Sequence, residues 1–578
     1  MPRTWQFLRI ATFAVACAAL TWSPAAARTP RRGDDLLQTV RDALDPHRPP
    51  RPTDRCLTPL VEEVQRRWND LDPEVRVEID QILHPHLDGG STYVSPLGYF
   101  SLSYVTAGPD SVPDEDINPA DGVPDFVERC ATYADRAWTT EIDSLGFTAP
   151  RLPADGTYDI DFMGLPAYHY GYTEVVDGTT HMVLHHNFVQ GIGWPGPNDD
   201  PDGTQAGRAK VTIAHEFKHA SQYATSDWTE GPSWAELDAV WMEDIVYPQV
   251  NEYRYWVAAG THSQLDQPWT SLLVSDSTGY EDCLWEHYMS GMWGAAVVRD
   301  YWTRRAQNVT ETALTSYQET LVTRGSDWRR AYAGYLEWCW FTGARAIPGF
   351  AFPDAAELYR MELMEYAISS YPCTRTGTVQ PLASNPRRYN QGNAVGSPRI
   401  LFDGDDSSAG LVLSVIGKRN DGSFWIDEPP LDAGNVCNYL VAEPWSDFQY
   451  VGILVTNGDP WGPPAAYQLD ILDEAPVGVA TSPPRASVPR LSAQPNPARG
   501  AVTLTLDLPR ASAGPLRILD VRGRTVRTLA LAPSAAGRRS VVVWDARDDG
   551  GRAVPAGVYW AEMDAGASRL ARRITLLR

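Results

Sequence analysis

Between positions 211 and 224 apolar side chains return every three or four residues: Ile213, Phe217, Ala220 and Ala224 fall at offsets of four, seven and eleven. Such spacing predicts an α-helix that buries one stripe and leaves the opposite face open. Period-two alternation predicts strands at 93–104 (YVSPLGYFSLSY), 157–164 (TYDIDFMG) and 180–188 (THMVLHHNF). A helix with an acidic first turn is expected over 125–145, and helical periodicity returns through the aromatic-rich stretch 247–345. From about residue 371 the chain turns to Gly, Pro, Asp and short alternating runs (RILFDG, AGLVLSVIG, YVGILVTNG), the pattern of a β-sandwich of about a hundred residues.

The open face of the 211–224 helix carries the candidate chemistry. His215 and His219 stand four residues apart, one above the other on a helix, with Glu216 directly after the first, so both imidazoles can reach one zinc ion. Catalytic zinc ordinarily keeps three protein ligands and an open position for water, so a third ligand is expected downstream. Glu230, Glu236, Asp238 and Glu243 compete for that place. Glu230 precedes a Gly-Pro pair and falls in a turn between two helices. Asp238 faces about 200° round its helix from Glu236, at roughly 100° per residue, whereas Glu243 shares the face of Glu236.

The segment 233–244, SWAELDAVWMED, resembles the glutamate helix of the gluzincin metallopeptidases. In that pattern a ligand Glu is followed at offsets of three, five and seven by a small residue, an aromatic and a second acid, here Ala239, Trp241 and Glu243. The resemblance implies Glu236 as third zinc ligand, seventeen residues after His219 and slightly closer than is common among gluzincins. It implies Glu243 as the partner that orients a ligand imidazole, and Glu216 as the general base of peptide hydrolysis. It also implies that a Tyr or His of the helical lobe, Tyr280, His287 or Tyr288, steadies the oxyanion. The last strand before the metal helix, including Val183, Leu184, His185 and His186, is expected to present the free edge that pairs with an extended peptide. His181, His185 and His186 are not expected as ligands, because a strand flips successive side chains and none belongs to the helical pair.

Bulk properties set the surroundings. A chain of 578 residues is long enough for several cores. Its net charge of −24 leaves no basic stripe to displace counterions from phosphate, which argues against nucleic acid and anionic membranes as partners. Residues 1–27 read as a secretory signal: Arg3 and Arg9 precede an apolar run, 10–20, that ends at Ala25-Ala26-Ala27. No later apolar run is long enough for a transmembrane span. Six cysteines remain after the signal, and an even number in an exported chain suggests three disulfides among fifteen possible pairings. Pairing of neighbours is the simplest expectation: Cys56 with Cys130, Cys283 with Cys339, Cys373 with Cys437. Residues 28–90 are expected to be a structural lead-in rather than an inhibitory pro-segment, since no zinc ligand is evident there, and His84 and His86 fit a helix end at the surface. An acidic loop carries Asp114, Asp116, Asn118, Asp121 and Asp125 among Pro and Gly, spacing that makes calcium a candidate, although Gly122 is not at the EF-hand position.

Together, the lead-in around Cys56, GVPDFVE, AHEFKHASQYA, SWAELDAVWMED and WCWFTGARA resemble a family of secreted bacterial metalloproteases of myxobacterial type, with Lys218 standing where an aromatic is frequent. The tail, from Gln494-Pro495-Asn496-Pro497 through VVVWDARDDGGRAVPAGVYWAEM, resembles the Ig-like module of flagellar hook-capping proteins and of type IX secretion sorting domains. Gly523 and Gly550-Gly551 suit hairpin turns there, and Trp544 and Tyr559 suit its core. The architecture expected is an α+β zincin-like domain, with twisted sheet, active-site helix and helical lower lobe, followed by two all-β sandwich domains. Its parts are a signal (1–27), the lead-in (28–90), the metallopeptidase domain (91–372), a β-sandwich (373–474), a Pro/Ser linker (475–490) and an Ig-like attachment domain (491–578). The function expected is that of a secreted or cell-surface zinc metalloprotease acting on protein or peptide, with contacts to secretion machinery or the cell surface through its tail. The rival is an inactive zincin scaffold serving as a surface adhesin.

Overall fold

The computed structural model describes residues 31–49, 55–83, 90–166, 168–176, 178–188, 198–272, 278–475, 490–494, 496, 498–507, 515–529, 539–565 and 568–577. The signal segment, His84, His86 and nearly all of the linker lie outside the described residues. Three helices come first: α1 (Asp34–Ala43), α2 (Thr58–Arg67) and α3 (Pro73–Leu83). A five-stranded sheet follows, built from β1 (Ser91–Val94), β2 (Phe100–Tyr104), β3 (Tyr158–Met163), β4 (Gly171–Val176) and β5 (Thr179–His185), with α4 (Asp125–Trp138) crossing between β2 and β3. The run expected as one strand at 93–104 is a hairpin, because Ser95-Pro96-Leu97-Gly98 turns the chain and Gly98 takes a positive φ of 79°.

Sheet order is β1-β2-β3-β5-β4. β2, β3 and β5 are parallel, while β4 doubles back antiparallel to β5 and forms the edge. The expected edge at Val183, Leu184 and His185 is therefore interior, and His186 lies just past the end of β5. Alternation along one strand fixes which side chains share a face; it carries no information on which strand lies outermost.

The histidine-bearing helix, α5 (Thr204–Ser226), lies on one face of the sheet and packs against α6 (Pro232–Val246). Its inner stripe is anchored by Phe217, whose ring sits edge-on to Phe100 and Tyr158, at 5.3 and 5.8 Å, and tilted against Trp138 at 5.5 Å. The opposite sheet face is covered by α1–α3, which share a small core of their own around Leu37, Val40, Val61, Val75 and Ile79 and reach the sheet through Met163, Leu165, Tyr172 and Val183. A helical lobe follows: α7 (Tyr253–Trp256), α8 (Leu284–Trp293), α9 (Ala296–Gln307), α10 (Ala313–Thr323) and α11 (Trp328–Trp340). Its tryptophans are packing residues, as in the Trp285–Trp328 stack at 4.8 Å.

The remainder is all β. One eight-stranded sheet runs, in order, through Arg490–Gln494, Val502–Asp507, Arg539–Trp544, Phe424–Asp427, Leu411–Arg419, Phe448–Asn457, Ala383–Tyr389 and Glu365–Ile368. The two expected sandwiches are thus joined by a single sheet, through the Trp425↔Ser540 and Ile426↔Arg539 pairs. Two four-stranded sheets complete them, one of Val436–Leu440, Ser397–Gly404, Ala465–Glu474 and Cys373–Val379, the other of Thr525–Leu529, Leu516–Asp520, Gly557–Ala565 and Ser568–Leu576. Trp544 and Tyr559 meet at 5.2 Å inside the last of these sandwiches. No helix among the described residues is long and apolar enough to cross a membrane.

The six described cysteines are all free, which corrects the expected pairings. Cys373 and Cys437 lie on the outer strands of one four-stranded sheet, separated by three strand spacings of about 4.8 Å each, well beyond disulfide reach. Cys283 and Cys339 are buried in the lobe without a disulfide, and the Cys56 sulfur lies against His219 on the face of α5 described next.

Phe217→Ala should cost about 3–5 kcal/mol of stability, since it empties the contact between α5 and three aromatic rings. Denaturant unfolding of the full chain, followed by near-ultraviolet circular dichroism, measures this; a loss below about 1 kcal/mol would show that α5 is not seated as described.

Candidate metal centre

Two helices and one loop bring four potential ligand atoms together. His215 and His219 project from one face of α5, Glu236 faces them from α6, and Cys56 enters just before α2. Their ligand atoms all lie within 4.8 Å of one another. His219 Nε2 is 3.2 Å from His215 Nε2 and 3.6 Å from Cys56 Sγ. The Glu236 carboxylate is 2.9 Å from His215 through Oε2 and 3.4 Å from His219 through Oε1.

These separations are those of ligands around one small cation. Tetrahedral zinc with Zn–N of about 2.05 Å and Zn–S of about 2.3 Å would space its nitrogens about 3.3 Å apart and sulfur from nitrogen about 3.6 Å. Two imidazole lone pairs pointing at each other across 3.2 Å repel unless a proton or a metal lies between them. Glu236 Oε1 is buried and accepts no hydrogen bond, a place that a cation would fill. The donor set therefore fits zinc.

The far side of each imidazole is held. His215 Nδ1–H donates to Glu243 Oε1 at 2.8 Å, and His219 Nδ1–H donates to Gln222 Oε1 at 2.8 Å. Both acceptors are oxygens, which fixes the tautomers and turns each Nε2 toward the centre. Gln222 is anchored in turn through Nε2 to Asp238 Oδ2 at 2.7 Å and to the Ala235 carbonyl at 2.9 Å. Arg55 Nη1 donates to the same Glu243 oxygen at 2.8 Å.

Burial alone would lower the two histidines, yet the Glu236 carboxylate outweighs it: His215, also beside Glu243, is raised to about 10, and His219 is raised as well. Burial would raise Glu236, but His219 and His215 hold it down to about 2. Burial, and then the Glu216 and Glu236 carboxylates, push the Cys56 thiol well above its ordinary value, so a thiolate here requires a cation. Glu216 lies beside the ligands, where its Oε2 accepts the hydroxyls of Thr58 at 2.9 Å and Thr173 at 3.1 Å.

Of the rival carboxylates, Asp238 is 3.3 Å from the buried ammonium of Lys218 and supports Gln222. Glu230 takes the Ser226 hydroxyl and is pushed up to about 7, chiefly by burial. Neither joins the ligand atoms. Among the three candidates for steadying an oxyanion, only Tyr280 adjoins the centre, with its ring edge-on to His215 at 5.7 Å. His287 stacks on Tyr253 at 4.8 Å and is pushed down to about 4 by burial, while Tyr288 packs among Trp285, Trp293 and Trp338. His185 Nδ1 accepts the amides of Asn187 and Phe188, and His186 Nδ1 donates to the Ser111 carbonyl, so neither turns toward the centre.

The acidic loop is bound up with its own backbone. Asp125 accepts the amides of Ile117 and Asn118, Asp116 accepts those of Asp121 and Gly122, and Asp121 accepts that of Val123. Asp114, on the same loop, is exposed. Among the described residues, these carboxylates do not form a cluster of ligand atoms comparable to the one on α5.

Sequence reasoning missed Cys56. It lies 159 residues before His215, and nothing local distinguishes it from a disulfide partner. The absence of CxxC spacing at any of the six cysteines argued against a cysteine ligand altogether.

Residues 492–568 match the FlgD Ig-like domain family. That match covers the last β-sandwich and none of the candidate centre. No curated protein matches the chain. Among solved structures it is similar to dimeric latent PorU from Porphyromonas gingivalis, at 16% identity over 32% of this chain and 18% of that one, with a TM-score of 0.14. It is also similar to a DUF4785 family protein from Legionella pneumophila, at 11% identity over 36% of this chain and 66% of that one, with a TM-score of 0.11. The chain spans less than two thirds of the PorU structure, and overlaps this weak carry no argument about the centre.

In the metal-free protein the His215 contribution to stability is complete below about 6.5 and fades as pH rises toward 10, while that of Glu236 is complete above about 4.5 and fades as pH falls toward 2. Metal needs neutral imidazoles and so gains as pH rises. The melting temperature of zinc-loaded protein minus that of metal-free protein should therefore widen steadily from pH 6.5 to pH 9. A constant or shrinking difference would contradict the assignment of these side chains to a shared ion.

Proposed function

We propose that this chain is an exported zinc-dependent peptidase of zincin-like fold, with His215, His219 and Glu236 as metal ligands and Glu216 as general base. The observation that carries this reading is the convergence of two imidazoles and one carboxylate from neighbouring helices, with a further carboxylate directly beside them. Zinc held there supplies Lewis acidity, polarising a peptide carbonyl and bringing water toward a pKa of about 7. Glu216 takes a proton from water and passes it to the leaving nitrogen of the substrate. Thr173 holds the Glu216 carboxylate in place, Oγ1 to Oε2. Glu243 and Gln222 keep the two imidazoles from turning. Tyr280 is the candidate donor to the oxyanion, and the edge of β4 is the candidate partner for an extended peptide substrate.

The Ig-like tail suits a surface-delivery role, and with the apolar N-terminal segment it supports a secreted or cell-surface location. A second reading is favoured by one observation. Four ligands, none more than 3% exposed, make a closed shell of the kind that structural zinc adopts, so the centre would brace a binding scaffold without turnover.

Zinc-loaded protein, with Cys56 native and with Cys56→Ala, separates the two in a gelatin or casein digest with and without chelator. The peptidase reading expects chelator-sensitive hydrolysis that falls about 10²- to 10⁴-fold on adding Glu216→Gln, with metal content unchanged. Absence of hydrolysis from both forms would favour the scaffold.

A further inference from the structure

Three side chains within four residues of the N-terminal segment converge on the centre. Cys56 Sγ joins the ligand cluster; Thr58 accepts the Thr173 amide at 2.8 Å and donates its hydroxyl to Glu216; Arg55 shares Glu243 with His215. The backbone between them lies along the free edge of the sheet. Tyr170 N–H donates to the Arg55 carbonyl at 2.9 Å, and Leu57 N–H donates to the Gly171 carbonyl at 3.2 Å, a parallel bridge between Cys56 and Gly171. His215, Glu216, His219 and Glu236 are each at most 2% exposed, leaving no route for a peptide.

We infer that residues 55–58 are an internal inhibitor: the Cys56 sulfur fills the fourth coordination position, Thr58 caps Glu216, and the backbone occupies the β4 edge, so the chain is latent until this strap is displaced. The inference rests on the peptidase reading and adds its regulation. It also corrects the expectation that the lead-in offers no ligand. A permanent structural ligand would account for Cys56 but leaves the Thr58 contact with Glu216 without purpose. The segment spans two apolar clusters: Cys56 belongs to the main core, while Leu57 and α1–α3 pack with Met163, Leu165, Tyr172 and Val183 of the sheet. Opening exchanges one ligand for another with no change of oxidation state.

The test uses the full chain loaded with one equivalent of cobalt(II) or zinc. Wild type is expected to show a sulfur-to-cobalt charge-transfer band in the near ultraviolet, and Cys56 should resist alkylation, as read by peptide mass mapping, until the metal is removed. Cys56→Ala, and Cys56→Ser in case the first folds poorly, should keep one equivalent of metal and lose the band. Zinc-loaded variants, with the fourth coordination position open to water and the strap no longer tied to the ion, should hydrolyse gelatin on the order of 10²-fold faster than wild type, the scale of a proton-transfer contribution regained once Glu216 faces that water. If wild type lacks the band, the sulfur is not a ligand and the inference fails whatever the activity. If wild type and variants hydrolyse equally, with the activity lost in Glu216→Gln, latency is wrong while the peptidase reading stands. If the band behaves as expected and no form hydrolyses, the peptidase reading fails and latency fails with it.

Discussion

The constraint on which the rest depends is electrostatic: two imidazole nitrogens 3.2 Å apart face a buried carboxylate that is ionised and only partly hydrogen-bonded. Without positive charge between them, that arrangement sets lone pair against lone pair in a medium that screens poorly. A proton can relieve part of it, which is why His215 is pushed so far up. A dication relieves all of it at once and makes use of the orphaned oxygen.

Everything nearby works to hold those groups at that spacing. Phe217, two residues past His215, locks α5 onto the sheet through Phe100, Trp138 and Tyr158, so the helix cannot rotate its histidines away. α6 supplies Glu236 from one turn and Glu243 from two turns later, and it reaches the back of His219 through Asp238 and Gln222. The buried Lys218 sits 3.3 Å from Asp238 and 3.3 Å from the Phe147 ring centroid, and thus ties the reverse face of α5 to the same helix. The β-rich remainder touches this core from a distance: Trp340 and Phe341 of the lobe meet Tyr450 and Phe424 of the first sandwich, which shares its large sheet with the Ig-like module.

What the sequence disclosed follows the range over which each signal acts. Helical spacing placed His215 and His219 on one face, and the resemblance to a gluzincin glutamate helix brought Glu236 and Glu243 forward; both signals are local, acting within one helix each. The Trp544–Tyr559 core of the tail was legible for the same local reason. Two features were not. Strand order is a property of chain return, so the strand at 180–188 read as an edge although β4 lies outside it. Cys56 reaches His219 only because α2 packs against β4, a contact between parts of the chain more than a hundred residues apart, and an even cysteine count suggested disulfides in its place. Tyr280 could not be told from His287 and Tyr288 by spacing, since all three sit in one aromatic helical lobe, and only its ring lies against His215.

Zinc X-ray absorption on the full-length, zinc-loaded chain tests the central claim most directly. The account predicts a four-coordinate shell with one sulfur at about 2.3 Å, two imidazole nitrogens at about 2.0–2.1 Å and one carboxylate oxygen at about 2.0–2.2 Å. A shell of oxygens alone, or one without imidazole scattering, would contradict it.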